Sequence, residues 1–210
     1  LPDGARESFR QLIFAIEDSF AWPDLWTKVV FILKRTGGLR PIALMHVTSR
    51  VQRRLRRPLI RRWQEENFRE FWWSTRGRVS DRLVWVQSAF ADCAQGRGLQ
   101  AGTVLLDLHK AFENVRHGEL LKAAQRTGFP LRQLRLLVGL YRAPRVLDHA
   151  GVASSPLHTQ KAVLPGCHFA TLMLQLMLLA PLDAVQSAYP LRTAREVQIG
   201  AVVDDSGLHK

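Results

Sequence analysis

The sequence predicts an α+β fold in which a mixed or antiparallel sheet is packed on helices. Segments rich in β-branched and aromatic residues alternate along the chain with segments whose apolar residues recur at helical spacing. The composition, 47% hydrophobic and 23% charged over 210 residues, is that of a globular protein large enough to bury a sizeable core. These patterns do not fix the order of the strands.

The first half of the chain reads as helix, strand, extended segment and two further helices. Residues 6–20 have helical periodicity, which AWPD interrupts, and LWTKVVFILK has the composition of a strand. GGLRPIAL follows as a turn and an extended segment. A helix is predicted from Thr48 to about Phe71, and Asp81 is a candidate cap for the next helix, which QGRG ends. One apolar stripe of the 48–71 helix comprises Val51, Leu55, Leu59 and Trp63.

The second half predicts two strands that end in acids. TVLLDL reads as a buried strand that places Asp107 at its end, and VQIGAVVDDSGLHK reads as a β-hairpin with Asp204 and Asp205 at its tip. Between them lie a helix stopped by Gly128, a second helix in PLRQLRLLVGLY, and a strand with a tight turn in KAVLPGC. The apolar run 169–182 is shorter than the roughly 20 residues of a membrane span, so it predicts a buried helix and no membrane partner.

The charge balance favours a polyanionic partner. Thirty Lys and Arg against eighteen Asp and Glu leave a net charge of +12, and binding of phosphates by such a surface releases condensed counterions. Two cysteines cannot form a disulfide framework, no His or Cys spacing suggests zinc, and no signal peptide opens the chain, so an intracellular location is expected. Because the chain starts with Leu, we expect it to be a fragment or a trimmed domain.

An arginine-rich helix is the main candidate for phosphate contact. Arg side chains bind phosphate oxygens in a bidentate manner, although a solvated helix face would have the same composition. Nothing in this segment indicates recognition of base identity. The residues that share a broad face of this helix are Arg50, Arg53, Arg54, Arg57 and Arg61.

Three carboxylates are candidates for holding metal ions. Asp204 and Asp205 are adjacent, and like charges side by side destabilise each other unless a cation compensates them. Together with Asp107 they would suffice to seat two Mg²⁺ ions about 3.5–4 Å apart, the arrangement used for attack of a hydroxyl on phosphorus. A single Asp at the end of a strand is more often a turn residue or a helix cap.

Five segments resemble, in the same order, the motifs of reverse transcriptases of the non-LTR retrotransposon and group II intron type. LLDLHKAFENVRHGELL resembles the first catalytic motif, AVLPGCHFATLMLQLML the Gly-centred turn and helix, and VVDDSGLHK the Tyr-Ala-Asp-Asp hairpin. WTKVVFILKRTGGLRPIALMHVTSRVQRRL is similar to the fingers segment of that family. WSTRGRVSDRLV resembles its Arg-Gly-Arg-Ser loop, which places Arg76 and Arg78 among the nucleic-acid contacts.

The resemblance implies a right-hand polymerase with a helical extension at 1–21, fingers at 22–100 and an incomplete palm at 101–210. It implies RNA-directed DNA synthesis in which deoxynucleoside triphosphates extend a DNA primer on an RNA template, with two Mg²⁺ ions, or Mn²⁺ in their place. Asp107, Asp204 and Asp205 would bind these metals. The residues that the resemblance assigns to the nucleotide are Lys34 and Arg40 for the triphosphate, Phe112 under the sugar, and Gly166 for close backbone approach.

The chain departs from the family pattern at several positions. Pro165 stands where the family has Gln, Val202 where it has Tyr, and Glu113 where it has Asp. Because the chain ends at Lys210, we expect the thumb to be absent. Two alternatives stay open: a catalytically inactive remnant that only binds RNA or DNA, and a nucleotidyl cyclase-like palm, which would leave the Arg-Pro-Ile segment and the arginine helix unexplained.

Overall fold

The computed structural model describes residues 2–23, 26–35, 37–73, 80–100, 102 and 105–188. Within these ranges the chain forms seven helices and a four-stranded mixed sheet, which confirms the predicted α+β class. The elements, in chain order, are α1 Asp3–Ser19, β1 Thr27–Leu33, β2 Leu39–Leu44, α2 Val47–Glu66, α3 Ser80–Gly96, α4 Ala111–Asn114, α5 His117–Thr127, α6 Leu131–Arg142, β3 Arg145–His149, β4 Val152–Ala153 and α7 Ala170–Ala188.

The chain divides into two compact units, each built from two separate stretches of sequence. The first unit combines Leu1–Asn67 with Ala111–Met177 and contains the whole sheet. The second combines Phe68–Lys110 with Leu178–Lys210 and contains α3. The predicted limits of the fingers and palm stay a prediction.

The sheet of the first unit has the order β2-β1-β3-β4. β1 pairs antiparallel with β2 and parallel with β3, and β3 pairs antiparallel with β4. Gly37 and Gly38 have φ values of 88° and 82°, which only glycine adopts readily, so they allow the chain to reverse between β1 and β2. In the strand order given, β2 lies at an edge of the sheet, and no described strand pairs with its other side.

The β3–β4 hairpin was missed by the sequence patterns. Its strands are short, and its two turn residues are Ala150 and Gly151, with φ values of 52° and 83°. Positive φ at both central residues is the conformation of a tight hairpin turn, but Ala at the first position hides the usual Asn-Gly or Asp-Gly signature.

Helices α5 and α6 form the centre of the first unit. Leu120 of α5 and Leu134, Leu140 and Tyr141 of α6 are at most 1% exposed. α5 ends, as predicted, at Gly128, whose φ of 67° caps the helix. α2 packs near this end, because the indole of Trp63 donates a hydrogen bond of 2.8 Å to the Thr127 carbonyl.

α2 buries Trp63 of the predicted apolar stripe but leaves the middle of the stripe in solvent. It ends at Glu66 rather than near Phe71, and Leu55 and Leu59 of the predicted stripe are 58% and 46% exposed. The buried side chains are instead mostly polar and satisfied by distant partners: Gln52 donates hydrogen bonds of 2.8 Å to Glu17 and to Gln133. The apolar stripe did not predict which side chains α2 buries, because hydrogen bonds from distant residues allow the helix to bury polar groups instead.

Within the described part of the chain, two predicted strands are not found. Residues 105–108 lie outside any strand, with Leu105 83% and Leu106 87% exposed. In KAVLPGC only Lys161 forms a bridge, to Arg116, whereas the predicted turn is present at Pro165 and Gly166. An apolar run becomes a strand only where another segment pairs with its backbone, and a short run does not reveal whether such a partner exists.

Helix α7 is long and apolar enough to cross a membrane by length and composition, a test that core helices also pass. Its first half is buried, as predicted: Ala170, Met173 and Leu176 are at most 1% exposed. Its second half, from Ala180 onward, is half-buried or exposed.

The second unit has its own polar and aromatic contacts. Arg69 donates two hydrogen bonds, of 2.8 and 3.0 Å, to the carboxylate of Asp183 on α7. Phe71 and Trp72 are buried with their rings in edge-to-face contact, 4.9 Å between centroids. α3, by contrast, leaves large apolar residues in solvent, among them Trp85 at 76% exposure.

Candidate functional site

The β1–β2 hairpin holds Lys34 and Arg40 on one face. Arg40 lies opposite Ile32 in the ladder, and the Lys34 amide extends the ladder by donating a 3.0 Å hydrogen bond to the Gly38 carbonyl. Opposed residues of an antiparallel pair share a face, and so do residues two apart on a strand. Lys34 is exposed and Arg40 half-buried. The two cations predicted to meet a triphosphate are therefore diagonal neighbours across the hairpin.

The Gly166 turn docks on the open edge of β2. The Ala43 amide donates a 2.9 Å hydrogen bond to the Pro165 carbonyl. Gly166 has φ of 87°, and a Cβ atom added there would lie 3.2 Å from the Ala43 carbonyl oxygen. Both the conformation and the close approach require glycine at this position. Pro165, which replaces the family's Gln, contributes its carbonyl to this contact.

Phe112 joins the same backbone network. The Val163 amide donates a 2.9 Å hydrogen bond to the Phe112 carbonyl, and the Ala162 amide donates one of 2.8 Å to Val115. Residues 162 and 163 lead directly into the Gly166 turn. All four residues assigned to the nucleotide thus lie in the first unit, on segments linked by backbone hydrogen bonds, although they are far apart in sequence.

Buried side chains hold the Gly166 turn in place. Cys167 is 1% exposed, and its sulfur lies 2.8 Å from Nη1 of Arg53 and 3.2 Å from the Tyr141 hydroxyl. Arg53, itself 4% exposed, also donates a 2.9 Å hydrogen bond to the Ser49 carbonyl. The structure therefore places Arg53 in the interior, where it positions the turn, and separates it from the exposed arginines with which the sequence grouped it.

His117 is a second support that the sequence analysis did not identify. It is fully buried, and its Nε2 atom lies 2.9 Å from the Ala162 carbonyl, which can only accept a hydrogen bond. Burial lowers the pKa of His117, and the hydrogen bond to Ala162 opposes that effect. Because a carbonyl only accepts, Nε2 carries a proton and donates this hydrogen bond. A lone His in HGELL gives no sequence signal for such a role.

The other four of the five grouped α2 arginines form an exposed stripe. Arg50, Arg54, Arg57 and Arg61 follow one another at intervals of four, three and four residues, which places them on one face over roughly 16 Å at 1.5 Å per residue. Arg61 pairs with Glu65 at 3.1 Å. The other three form no salt bridge within the described residues.

The carboxylates are only partly described. Asp107 is exposed and belongs to the second unit. Asp204 and Asp205 lie outside the described residues, as do Arg76 and Arg78. Within the described ranges no group of three His, Cys, Asp or Glu side chains could hold a metal ion. The carboxylate of Asp107 is an oxygen ligand of the kind that Mg²⁺ prefers. The predicted two-ion site also needs Asp204 and Asp205.

Comparison with known proteins gives no relative from which a function can be transferred. No protein-family model matches the chain, and no curated protein matches it in sequence.

Proposed function

We propose that this chain is the fingers-and-palm core of a reverse transcriptase-like polymerase, which extends a DNA primer on an RNA template. The observation that carries the proposal is the connection of Lys34, Arg40, Phe112 and Gly166 in the first unit. Backbone hydrogen bonds of 2.9 Å join the Gly166 turn to β2 at one end and to the Phe112 segment at the other. Four residues that one reaction would need together are brought onto linked segments.

The cations and the turn have distinct tasks in this proposal. Lys34 and Arg40 neutralise the phosphates of the incoming deoxynucleoside triphosphate, since both lie on one face of the hairpin. Gly166 lets the nucleotide approach the backbone, and Phe112 packs against the sugar. Asp107, Asp204 and Asp205 would hold two Mg²⁺ ions. When bound, these ions activate the primer 3′-hydroxyl and stabilise the charge of the leaving pyrophosphate.

The template is held through its phosphates. The exposed stripe of α2 arginines offers forked donors that bind phosphate oxygens regardless of base sequence. A polymerase must accept any template, so contacts of this kind are sufficient.

A second candidate is a catalytically inactive remnant that only binds RNA or DNA. Two observations favour it: Pro165 replaces the family's Gln, and the segment before Asp107 is exposed rather than paired in a sheet. The arginine stripe would serve this function equally well.

Primer extension with Asp107→Asn tests the proposal. Elongation of a DNA primer on an RNA template, with Mg²⁺ or Mn²⁺, is expected from the unaltered chain. Asp107→Asn should lower the rate on the order of a hundredfold or more while leaving RNA affinity unchanged, because it removes one metal ligand. Asp92→Asn, at an exposed acid on α3 in the same unit, is the matched control and should keep full activity.

The outcomes separate the candidates. Binding of RNA without any elongation, in either metal, would identify the inactive remnant. Turnover of nucleotides without a template would identify the cyclase-like alternative. Full activity of Asp107→Asn would refute the role assigned to that carboxylate.

A further inference from the structure

His168 follows Gly166 by two residues and lies beside α2, the helix that carries the arginine stripe. Its neighbour Cys167 is held against α2 by the 2.8 Å contact with Arg53, so His168 emerges from the turn beside that helix. His168 is exposed, and its ring lies 5.5 Å from that of Phe169. No motif in the sequence singled out this residue.

The charged groups that act on His168 all come from α2. Although the residue as a whole is exposed, desolvation of its ring by neighbouring protein atoms lowers the pKa below the ordinary value of 6.5, and the positive charges of Arg57, Arg53 and Arg54 lower it further. No carboxylate contributes within the described residues. Arg53 is buried and already bonded, whereas Arg54 and Arg57 are exposed and lie three residues apart, neighbours on one helix face. The exposed His168 thus follows a residue anchored on α2 and lies within electrostatic range of the exposed guanidinium groups of Arg54 and Arg57.

We propose that Arg54, Arg57 and His168 form a binding site for one phosphate group of a single-stranded nucleic acid, and that His168 takes up a proton from solvent when the phosphate binds. The inference rests on the proposed function, because the phosphate belongs to the polymer that the arginine stripe holds. A phosphate placed here offsets the repulsion between the arginines and the imidazolium. The protonated ring then adds a third charged donor.

Binding and protonation are linked in a defined direction. The phosphate raises the pKa of His168, so the bound protein holds more protons than the free protein. Affinity therefore rises as the pH falls through the pKa of the bound state, and this gain is absent at higher pH, where His168 is neutral in both states. A rise of one unit on binding corresponds to a gain of about tenfold in affinity.

The test is the pH dependence of binding to an oligouridylate of about twelve nucleotides, long enough to follow the stripe. At constant ionic strength, the unaltered chain should bind about five- to tenfold more tightly at about pH 5.5 than at about pH 8. His168→Gln should lose this pH dependence and keep the affinity measured at about pH 8. His158→Gln, at another exposed histidine of the same unit, is the matched control and should behave like the unaltered chain.

NMR titration of the imidazole gives an independent readout. The RNA should raise the pKa of His168 in the unaltered chain. In the variant Arg54→Gln/Arg57→Gln, the pKa of the free protein should rise toward 6.5, and the RNA should no longer shift it. Retention of the full pH dependence by His168→Gln, or a His168 pKa that RNA leaves unchanged, would overturn the inference while RNA binding itself stands. Absence of RNA binding at every pH would remove the proposed function as well.

Discussion

The two units differ in how firmly the described contacts fix the position of the candidate site residues. In the first unit, the Gly166 turn is held on β2 by the Ala43–Pro165 hydrogen bond and supported by buried Arg53 and His117. In the second unit, Asp107 follows two leucines that are 83% and 87% exposed. The contrast teaches that the local fold positions the residues predicted to face a nucleotide, whereas the described contacts do not fix Asp107, the described member of the predicted metal-binding acids.

The largest effect is expected from Gly166→Ala. The substitution places a Cβ atom 3.2 Å from the Ala43 carbonyl at a positive φ, so we expect a loss of about 2–3 kcal/mol in the free energy of unfolding. Gly128→Ala is the control, since Gly128 has φ of 67° with open space around it, and should cost about 1 kcal/mol. Urea unfolding measures both. Equal losses would mean that the close approach of the turn to β2 is unimportant.

Arg53→Met should separate stability from binding. It removes a buried guanidinium from the Cys167 sulfur and the Ser49 carbonyl, so we expect the first unit to lose about 2 kcal/mol of stability. RNA affinity of the folded variant should be unchanged, because Arg53 does not reach the exposed stripe. Arg50→Met, on that stripe, is the opposite case and should weaken RNA binding without destabilising the fold. A loss of RNA affinity in folded Arg53→Met would return Arg53 to the nucleic-acid surface.

Glu17→Gln tests how α1 is held against α2 within the first unit. Hydrogen bonds from Arg56 hold the pKa of Glu17 below its ordinary value of 4.5, while burial opposes the shift. The depressed pKa stabilises the folded state above about pH 4.5, and that contribution is lost as the pH falls through the lower folded value. Glu17→Gln should therefore cost about 1 kcal/mol at neutral pH, since Arg56 is partly solvated, and flatten the acid dependence. Glu7→Gln removes a solvent-exposed partner of Arg10 on α1, so it should change the acid dependence much less.

Leu106→Ala should have the smallest effect. At 87% exposure its side chain contributes almost no burial, so we expect a change within about 0.5 kcal/mol. Leu134→Ala in the first unit, which is 0% exposed, is the matched contrast and should cost about 2–5 kcal/mol. A loss above about 2 kcal/mol for Leu106→Ala would mean that this segment is buried as the sequence predicts, and the contrast between the units would disappear.

Local chemistry made much of the fold predictable. The composition of β1, the two glycines before β2 and the helix stop at Gly128 each depend on neighbours in sequence, and each is confirmed. The inward face of α2 was not predictable, because Gln52 is satisfied by Glu17 and Gln133, which only the tertiary fold brings near. Arg53 was predicted on the phosphate-binding face and is buried for the same reason. Its partner Cys167 is 114 positions away.

The sequence proposes the residues of the candidate site but could not give their arrangement. Motif order gave Lys34, Arg40, Phe112 and Gly166, and the hydrogen bonds that link their segments were unknown until the fold was seen. His117 and His168 carried no pattern, because a single histidine has the same appearance in a core, on a surface and beside a ligand. The meeting of Asp107 with Asp204 and Asp205 stays a prediction.

The central claim is that these three acids share a pair of ions, and a crystal structure of the protein with primer–template and Mn²⁺ tests it most directly. We expect anomalous difference peaks for two ions about 3.5–4 Å apart, with Asp107 and at least one of Asp204 and Asp205 as ligands. The polymerase proposal would be contradicted if no ion bound to Asp107 and its oxygens lay too far from Asp204 and Asp205 for two metal ions to bridge them.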